Sequence, residues 1–124
     1  MSQMLIVVLL SWASHYSGYP MPDSAPEIQF KPHSWFVEMA CPTMKDCYVL
    51  AWYNDKGIVY LDESLDTSSG YTSSVMVHEL VHYLQPAGMA PCAREREAYT
   101  IQNQFIADNL TTMYRARYTC SESE

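Results

Sequence analysis

The chain has 124 residues, the length of one domain that can bury a modest hydrophobic core. Its composition is 48% hydrophobic and includes ten tyrosines, which is typical of a globular protein and excludes an intrinsically disordered one. The net charge of −7 disfavours contact with phosphate backbones, so we expect no nucleic-acid partner.

The N-terminal segment MLIVVLLSWA, residues 4–13, is predicted to form an apolar core helix that ends near SGYP, residues 17–20. The alternative is the apolar part of a signal peptide. However, no Lys or Arg precedes the segment, and no clear small-x-small cleavage site follows it. It is also too short to span a membrane, so we expect no membrane association. On the helix interpretation, any targeting signal has already been removed from this chain.

The next segment, residues 19–32, is predicted to be extended and irregular, because its four prolines exclude a helix. Within it, EIQF (residues 27–30) is the candidate for a short strand. The following segment HSWFVEMA, residues 33–40, is ambiguous between a short helix and a strand.

Two segments rich in β-branched and aromatic residues predict a β-hairpin. They are CYVLAWYN (residues 47–54) and GIVYLDES (residues 57–64), and they are joined by the turn sequence NDKG. We expect a loop over residues 65–74 after the hairpin.

The segment VMVHELVHYLQ, residues 75–85, predicts a helix that is apolar on almost every side and therefore belongs in the core. Pro86 favours its end at the preceding residue. The helix is expected to be capped by one of three hydroxyl side chains: Thr72, Ser73 or Ser74.

After a tight loop at residues 86–92, residues 93–118 are predicted to form one long helix, followed by a frayed acidic tail, SESE. The chain contains no internal repeat and no sign of a second domain. We therefore expect a single α+β domain over residues 1–124, in which a small sheet or hairpin packs on the two C-terminal helices and the N-terminal helix is additional.

The four cysteines contain no CxxC pair, so a cysteine-type zinc site is poorly supported. An even number in a small domain favours two disulfides and an extracytoplasmic location, secreted or periplasmic. Of the three pairings, we favour Cys41 with Cys47 and Cys92 with Cys120. The alternative is four reduced, buried thiols.

The central helix carries the sequence HELVH, with His78 and His82 four residues apart. At 3.6 residues per turn, the two imidazoles lie on one face and can bind one metal ion. Glu79 projects roughly 100° away, beside the metal, where it can reach a bound water. These are two ligands and one general base from a single helix. The alternative is two core histidines that are hydrogen-bonded to the backbone.

A third ligand is expected from the long helix, which offers Glu95 and Glu97. Glu95 falls on the inner face defined by Ala98, whereas Glu97 turns to the edge of that face, so Glu95 is the predicted ligand. Glu97 is expected to pair on the surface with Arg94 or Arg96, although a register error would make it the ligand. The inner face continues at helical spacing through Ile101, Phe105, Ile106 and Met113.

The stretches HELVHYLQ and REREAYTIQ place HExxH before a helix that bears E-x-x-A. This arrangement resembles the gluzincin class of zinc metallopeptidases and, in its brevity, the single-domain minigluzincins. The resemblance covers about residues 57–105. It implies a zincin-like fold, Zn²⁺ held by His78, His82 and Glu95, and Glu79 as the general base.

The resemblance also implies an edge strand before the zinc helix that holds an extended substrate, and IVYLDES matches its position. One departure concerns Tyr99, the residue after Ala98. Many relatives have Asp or Asn there, which orients a ligand histidine. A phenol can also form a hydrogen bond, but the tuning of the metal would then differ.

The function that the resemblance implies is zinc-dependent hydrolysis of peptide bonds in a peptide or protein substrate. We also expect the protein to be a monomer. The zinc activates a water and polarises the scissile carbonyl, and the general base moves the proton to the leaving amine. A donor must also stabilise the oxyanion. The candidates are Tyr99, Tyr114, His15 and His33.

Two other functional classes remain open. One is a non-catalytic, zinc-containing binding domain on a zincin-like scaffold, because a short chain has little material for a walled cleft. A structural zinc, however, usually has a fourth Cys or His ligand, and no cysteine is spaced for that role. The other is a small, disulfide-linked interaction protein without a metal.

Overall fold

A computed structural model describes residues 1–43, 46–112 and 114–120. Within these residues the chain forms four helices and one three-stranded sheet, which confirms the α+β class. In chain order the elements are α1 (Gln3–Ser17), β1 (Glu27–Lys31), α2 (His33–Ala40), β2 (Ala51–Tyr53), β3 (Ile58–Asp62), α3 (Gly70–Leu84) and α4 (Pro91–Asn109). The predicted tail SESE and the core position Met113 lie outside the described residues.

The sheet has the strand order β1-β3-β2. β2 and β3 form the predicted antiparallel hairpin, with Trp52 opposite Tyr60. Asn54 stabilises the turn, because its Oδ1 accepts hydrogen bonds from the backbone N–H groups of Lys56 and Ile58. β1 pairs in parallel with the other side of β3. The expectation that residues 58–64 form an edge strand is therefore wrong. β3 is the central strand, and β2 is an edge.

The ambiguous segment HSWFVEMA is a helix, α2. The side chain of Phe36, on the inner face of this helix, is fully buried. Trp35 packs on the sheet, with its ring 4.4 Å from that of Tyr60 and 5.9 Å from that of Trp52. These long-range aromatic contacts account for a helix in a segment whose local sequence was undecided.

The core lies between α1, α3 and α4, with α3 at its centre. The N-terminal apolar segment is the predicted core helix, since Ile6, Leu9, Leu10 and Ala13 are all buried. Almost every side of α3 is buried, which explains its lack of a solvated polar face. Among the described residues, no helix combines the length and the apolar character needed to cross a membrane.

α3 begins earlier than the sequence indicated. Its N-cap is Ser69, whose Oγ accepts a hydrogen bond from Thr72 N–H, so the predicted cap at residues 72–74 is wrong. Thr72 and Ser74 are buried inside the helix. Gly70 lets the side chain of Leu110 pack closely on this first turn, because a Cβ there would lie 2.7 Å from Leu110 Cδ2.

α4 ends at Asn109, nine residues before the predicted end at residue 118. The disulfide Cys92–Cys120 joins residues whose Cα atoms are 5.7 Å apart. A helix that continued to residue 118 would instead extend about 35–40 Å beyond Cys92. The chain therefore turns back along α4, where Asn103 bonds both backbone groups of Ala116. The second predicted disulfide, Cys41–Cys47, is also formed.

Candidate metal centre

α3 and α4 bring the three predicted metal ligands together. His78 and His82 occupy one face of α3, and Glu95 approaches them from the first turns of α4. Glu95 Oε1 lies 3.7 Å from His78 Nε2 and in direct contact with His82 Nε2. The three donor groups all lie within 4.8 Å of one another. The arrangement offers two nitrogens and one carboxylate oxygen to a single point.

The two imidazoles determine the charge of Glu95. Partial burial raises the pKa of its carboxyl, but the neighbouring imidazoles of His78 and His82 outweigh this effect and hold the pKa well below its usual range. For His82, burial lowers the pKa of the ring, whereas the hydrogen bond to Glu95 raises it, and the result is a raised pKa. Glu95 is therefore an anion at neutral pH, as a metal ligand must be.

The carboxylate of Glu79 lies beside this group without being part of it, as the helical spacing predicts. Its Oε1 accepts a hydrogen bond of 3.0 Å from the backbone N–H of Tyr53 in β2. Its Oε2 is 3.9 Å from His78 Nε2. The residue is only 7% exposed, and this burial raises the pKa of its carboxyl. Glu79 is thus a buried carboxylate next to the three candidate ligands.

Two glutamines that were not predicted from the sequence contact the Nδ1 atoms of the histidines. His78 Nδ1 lies 3.0 Å from Gln102 Oε1, and His82 Nδ1 lies 2.8 Å from Gln85 Oε1. The sequence positions of these glutamines could have indicated the contacts. Gln85 is one helical turn after His82, and Gln102 is two turns after Glu95, so each shares a face with a ligand.

Glu97 is not part of the ligand group. Its Oε1 accepts hydrogen bonds from Tyr19 Oη at 2.7 Å and from Gln85 Nε2 at 3.1 Å. Burial and the bond to Glu97 together raise the pKa of Tyr19 to about 12. Of the two arginines that were expected to pair with Glu97, Arg94 forms its ion pair with Asp55 at 2.7 Å. Glu97 thus contacts Gln85, which in turn contacts the candidate ligand His82.

A family of domains matches the chain over residues 1–114 and is described as a domain of unknown function, DUF6647. The chain belongs to the DUF6647 family. No curated protein and no solved structure matches it. The matched range of the DUF6647 domain contains α1 to α4, all three strands and the three candidate ligands His78, His82 and Glu95.

Two of the four candidates for an oxyanion donor line the cleft of this DUF6647 domain, namely Tyr99 and Tyr114. Tyr99 contacts His78 edge-on, with ring centroids 4.3 Å apart, and stacks on Tyr118. The other two candidates lie elsewhere. His33 bonds Asp62 at 2.7 Å and the carbonyl of Cys47, and His15 packs on α1 against Trp12 and Tyr16.

The ligand group lies in an open cleft of about 680 Å³. One side of the cleft is formed by residues 48–53, which include β2, and the other by α4 and the C-terminal segment, residues 114–120. Asp62 N–H donates to the carbonyl of Leu50, and Asn54 N–H donates to that of Ile58. Hydrogen-bonded pairs alternate in an antiparallel ladder, so the backbone groups of Ala51 and Tyr53 point away from β3. The bond from Tyr53 N–H to Glu79 shows that this side faces the cleft.

Proposed function

We propose that this domain is a zinc-dependent peptidase of the gluzincin type, with a zincin-like fold. The observation that carries the proposal is the convergence of His78, His82 and Glu95, with the carboxylate of Glu79 beside them in an open cleft. A chance HExxH match would not need a carboxylate from another helix at the same point.

The donor set fits zinc, which binds imidazole nitrogen and carboxylate oxygen. Among the described residues, three side chains form the group, and three protein ligands are typical of a catalytic rather than a structural zinc site. When bound there by His78, His82 and Glu95, Zn²⁺ would polarise a scissile carbonyl and lower the pKa of a water.

In this proposal Glu79 is the general base. The N–H of Tyr53 holds one carboxylate oxygen, and the other oxygen remains on the side of the ligands. Burial raises the pKa of Glu79 above its usual range, which favours a group that takes a proton from water and returns it to a leaving amine.

The substrate in this proposal is an extended peptide that pairs with the edge of β2. The N–H and C=O of Ala51 point away from β3, on the side where Tyr53 N–H reaches Glu79. Strand addition of this kind recognises backbone rather than side chains, and it suits unfolded polypeptides. The two disulfides further favour an extracytoplasmic location, where such bonds persist.

The test combines metal analysis with two matched variants. We expect one zinc per chain in the purified wild type, together with cleavage of unfolded polypeptides. Glu79→Gln should keep the zinc and the fold but lose about 10²–10⁴-fold in kcat/KM, because the base is removed. Glu38→Gln makes the same change at an exposed site on α2 and should match the wild type.

Two outcomes would contradict the proposal in different ways. A protein that binds no zinc would refute the metal site. A protein that holds zinc but cleaves nothing in a broad peptide library would instead be the non-catalytic binding domain.

A further inference from the structure

Each ligand histidine is held from behind by a neutral amide. Gln85 Oε1 lies 2.8 Å from His82 Nδ1, and Gln102 Oε1 lies 3.0 Å from His78 Nδ1. An amide has an accepting end and a donating end, and only the accepting end requires hydrogen on the facing nitrogen. The orientation of each amide therefore decides which histidine nitrogen is free to bind a metal.

The orientation of Gln85 is determined by three contacts. Its Nε2 faces the backbone carbonyl of Arg94 at 2.9 Å and Glu97 Oε1 at 3.1 Å, and both of these groups accept. Its Oε1 faces Arg94 Nε at 3.1 Å, which only donates. A reversed amide would lose all three of these bonds. The oxygen must therefore face His82, and His82 Nδ1 must carry a hydrogen.

The orientation of Gln102 follows from a hydroxyl. Ser74 Oγ donates its single hydrogen to the carbonyl of Tyr71 at 2.7 Å. It can therefore only accept from Gln102, whose Nε2 lies 3.4 Å away. The oxygen of Gln102 is then left for His78 Nδ1. Gln102 is 4% exposed, so water does not replace these bonds at low cost.

We propose that Gln85 and Gln102 are positioning residues that keep hydrogen on Nδ1 of His82 and His78 and thereby direct both Nε2 atoms to the metal. The effect on metal binding rests on the proposed function, whereas the position of the hydrogens does not. Glu97 belongs to the same arrangement, because it determines which end of Gln85 faces His82. Both histidines are thus supported by neutral amides, and the carboxylate of Glu97 contacts the amide of Gln85 rather than a histidine.

The first test measures zinc affinity by competition with a chromophoric chelator. Gln85→Leu and Gln102→Leu each remove the acceptor at similar volume, and each should weaken zinc binding about 10–100-fold, as for other partners of metal ligands. Gln104→Leu makes the same change at an exposed position of α4 and should leave the affinity unchanged. Wild-type affinity in both of the first two variants would overturn the proposal.

Charge-changing variants separate positioning from packing. Gln102→Glu keeps an acceptor for His78 and should therefore bind zinc at least as tightly as the wild type. Gln102→Leu has no acceptor and should bind zinc more weakly. Gln85→Glu places a second carboxylate against Glu97 and should weaken binding. Adding Glu97→Gln supplies a donor and should recover part of the loss. If Gln102→Glu binds as weakly as Gln102→Leu, packing alone explains the effect.

Long-range ¹H–¹⁵N NMR determines which ring nitrogens of His78 and His82 carry hydrogen. In metal-free protein at alkaline pH, both rings should carry hydrogen on Nδ1, and the zinc-loaded protein should keep it there. A ring that lacks hydrogen on Nδ1 in the metal-free protein would refute the proposal, whereas hydrogen on Nε2 would not, because Nε2 of each ring faces the carboxylate of Glu95. This experiment can be done without metal. If the protein binds no zinc, the proposed function is refuted, but the NMR measurement still tests the positioning by Gln85 and Gln102.

Discussion

Glu95 and Glu97 show how the helix separates the roles of two identical side chains. They are two residues apart on α4, which turns them about 200° from each other around the helix axis. Glu95 consequently reaches the Nε2 atoms of both histidines, whereas Glu97 contacts Tyr19 and the donating end of Gln85. One carboxylate is a candidate ligand, and the other supports a group behind a ligand.

The first prediction compares these two residues. Glu95→Ala should abolish stoichiometric zinc, because it removes a donor, whereas Glu97→Ala should weaken zinc binding much less, because it only loosens Gln85. Metal analysis after gel filtration, followed by chelator competition, measures both effects. A larger loss in Glu97→Ala would show that Glu97 is the ligand.

The second prediction concerns Asp62, a carboxylate that is 1% exposed. Burial raises the pKa of Asp62, but hydrogen bonds from Ser64 and His33 outweigh it and lower the pKa below the ordinary value of 3.8. A lowered folded pKa gives stability that is present above the unfolded value and is lost as pH falls through the folded value. Asp62→Asn should therefore be less stable at neutral pH and should show a flatter acid limb, measured by urea unfolding between pH 6 and pH 2. An unchanged acid limb would contradict this account.

At the scale of the element, α3 combines a buried apolar surface with a polar motif. Met76, Val77, Leu80 and Val81 are fully buried, and His78 and Glu79 are nearly so. Burying such polar groups is costly unless they are paired, and each of them has a partner on another element. Further contacts at its two ends help to hold α3 in place. Ser69 caps the start, and the side chain of Gln85 contacts α4 at the other end.

The third prediction tests the start of α3. Ser69→Ala removes the side-chain acceptor for Thr72 N–H and should lower the free energy of unfolding by about 1 kcal/mol. Ser34→Ala, an exposed serine in the first turn of α2, should change stability by less than about 0.5 kcal/mol. Chemical denaturation of both variants makes the comparison. Equal effects would contradict the cap at Ser69.

At the scale of the whole molecule, the C-terminal segment connects the chain end to the candidate site. The disulfide Cys92–Cys120 ties it to the start of α4, and Asn103 bonds both backbone groups of Ala116. Tyr118 stacks on Tyr99, which in turn contacts His78. One wall of the cleft is thus built by a segment that is distant in sequence from α3.

The fourth prediction concerns the two disulfides. Cys92 and Cys120 are 28 residues apart, so replacing both with Ser should cost about 3–4 kcal/mol in the chain-entropy model. Replacing Cys41 and Cys47, which are six residues apart, should cost about 2 kcal/mol. Thermal and denaturant unfolding measure the difference, and thiol titration of the native protein should find no free thiol. Four free thiols in protein prepared under oxidising conditions would refute the prediction.

The local sequence was sufficient for the parts of the site that lie on single helices. The spacing of His78, Glu79 and His82 follows from 3.6 residues per turn, and the same rule separates Glu95 from Glu97 on α4. The four cysteines also led to the observed pairing. The helix positions depend on residues close in sequence, and the expectation of two disulfides depends on the even number of cysteines in a small domain.

Only the tertiary structure decided which distant segments meet. β1 comes from the proline-rich segment and makes β3 central, a pairing that no local pattern of residues 58–62 could indicate. The predicted helix to residue 118 and the predicted Cys92–Cys120 bond were incompatible, and the disulfide requires the chain to turn back after Asn109. Gln85 and Gln102 acquire their roles in the same way, because an amide becomes an orienting group only when folding places a histidine nitrogen at its oxygen.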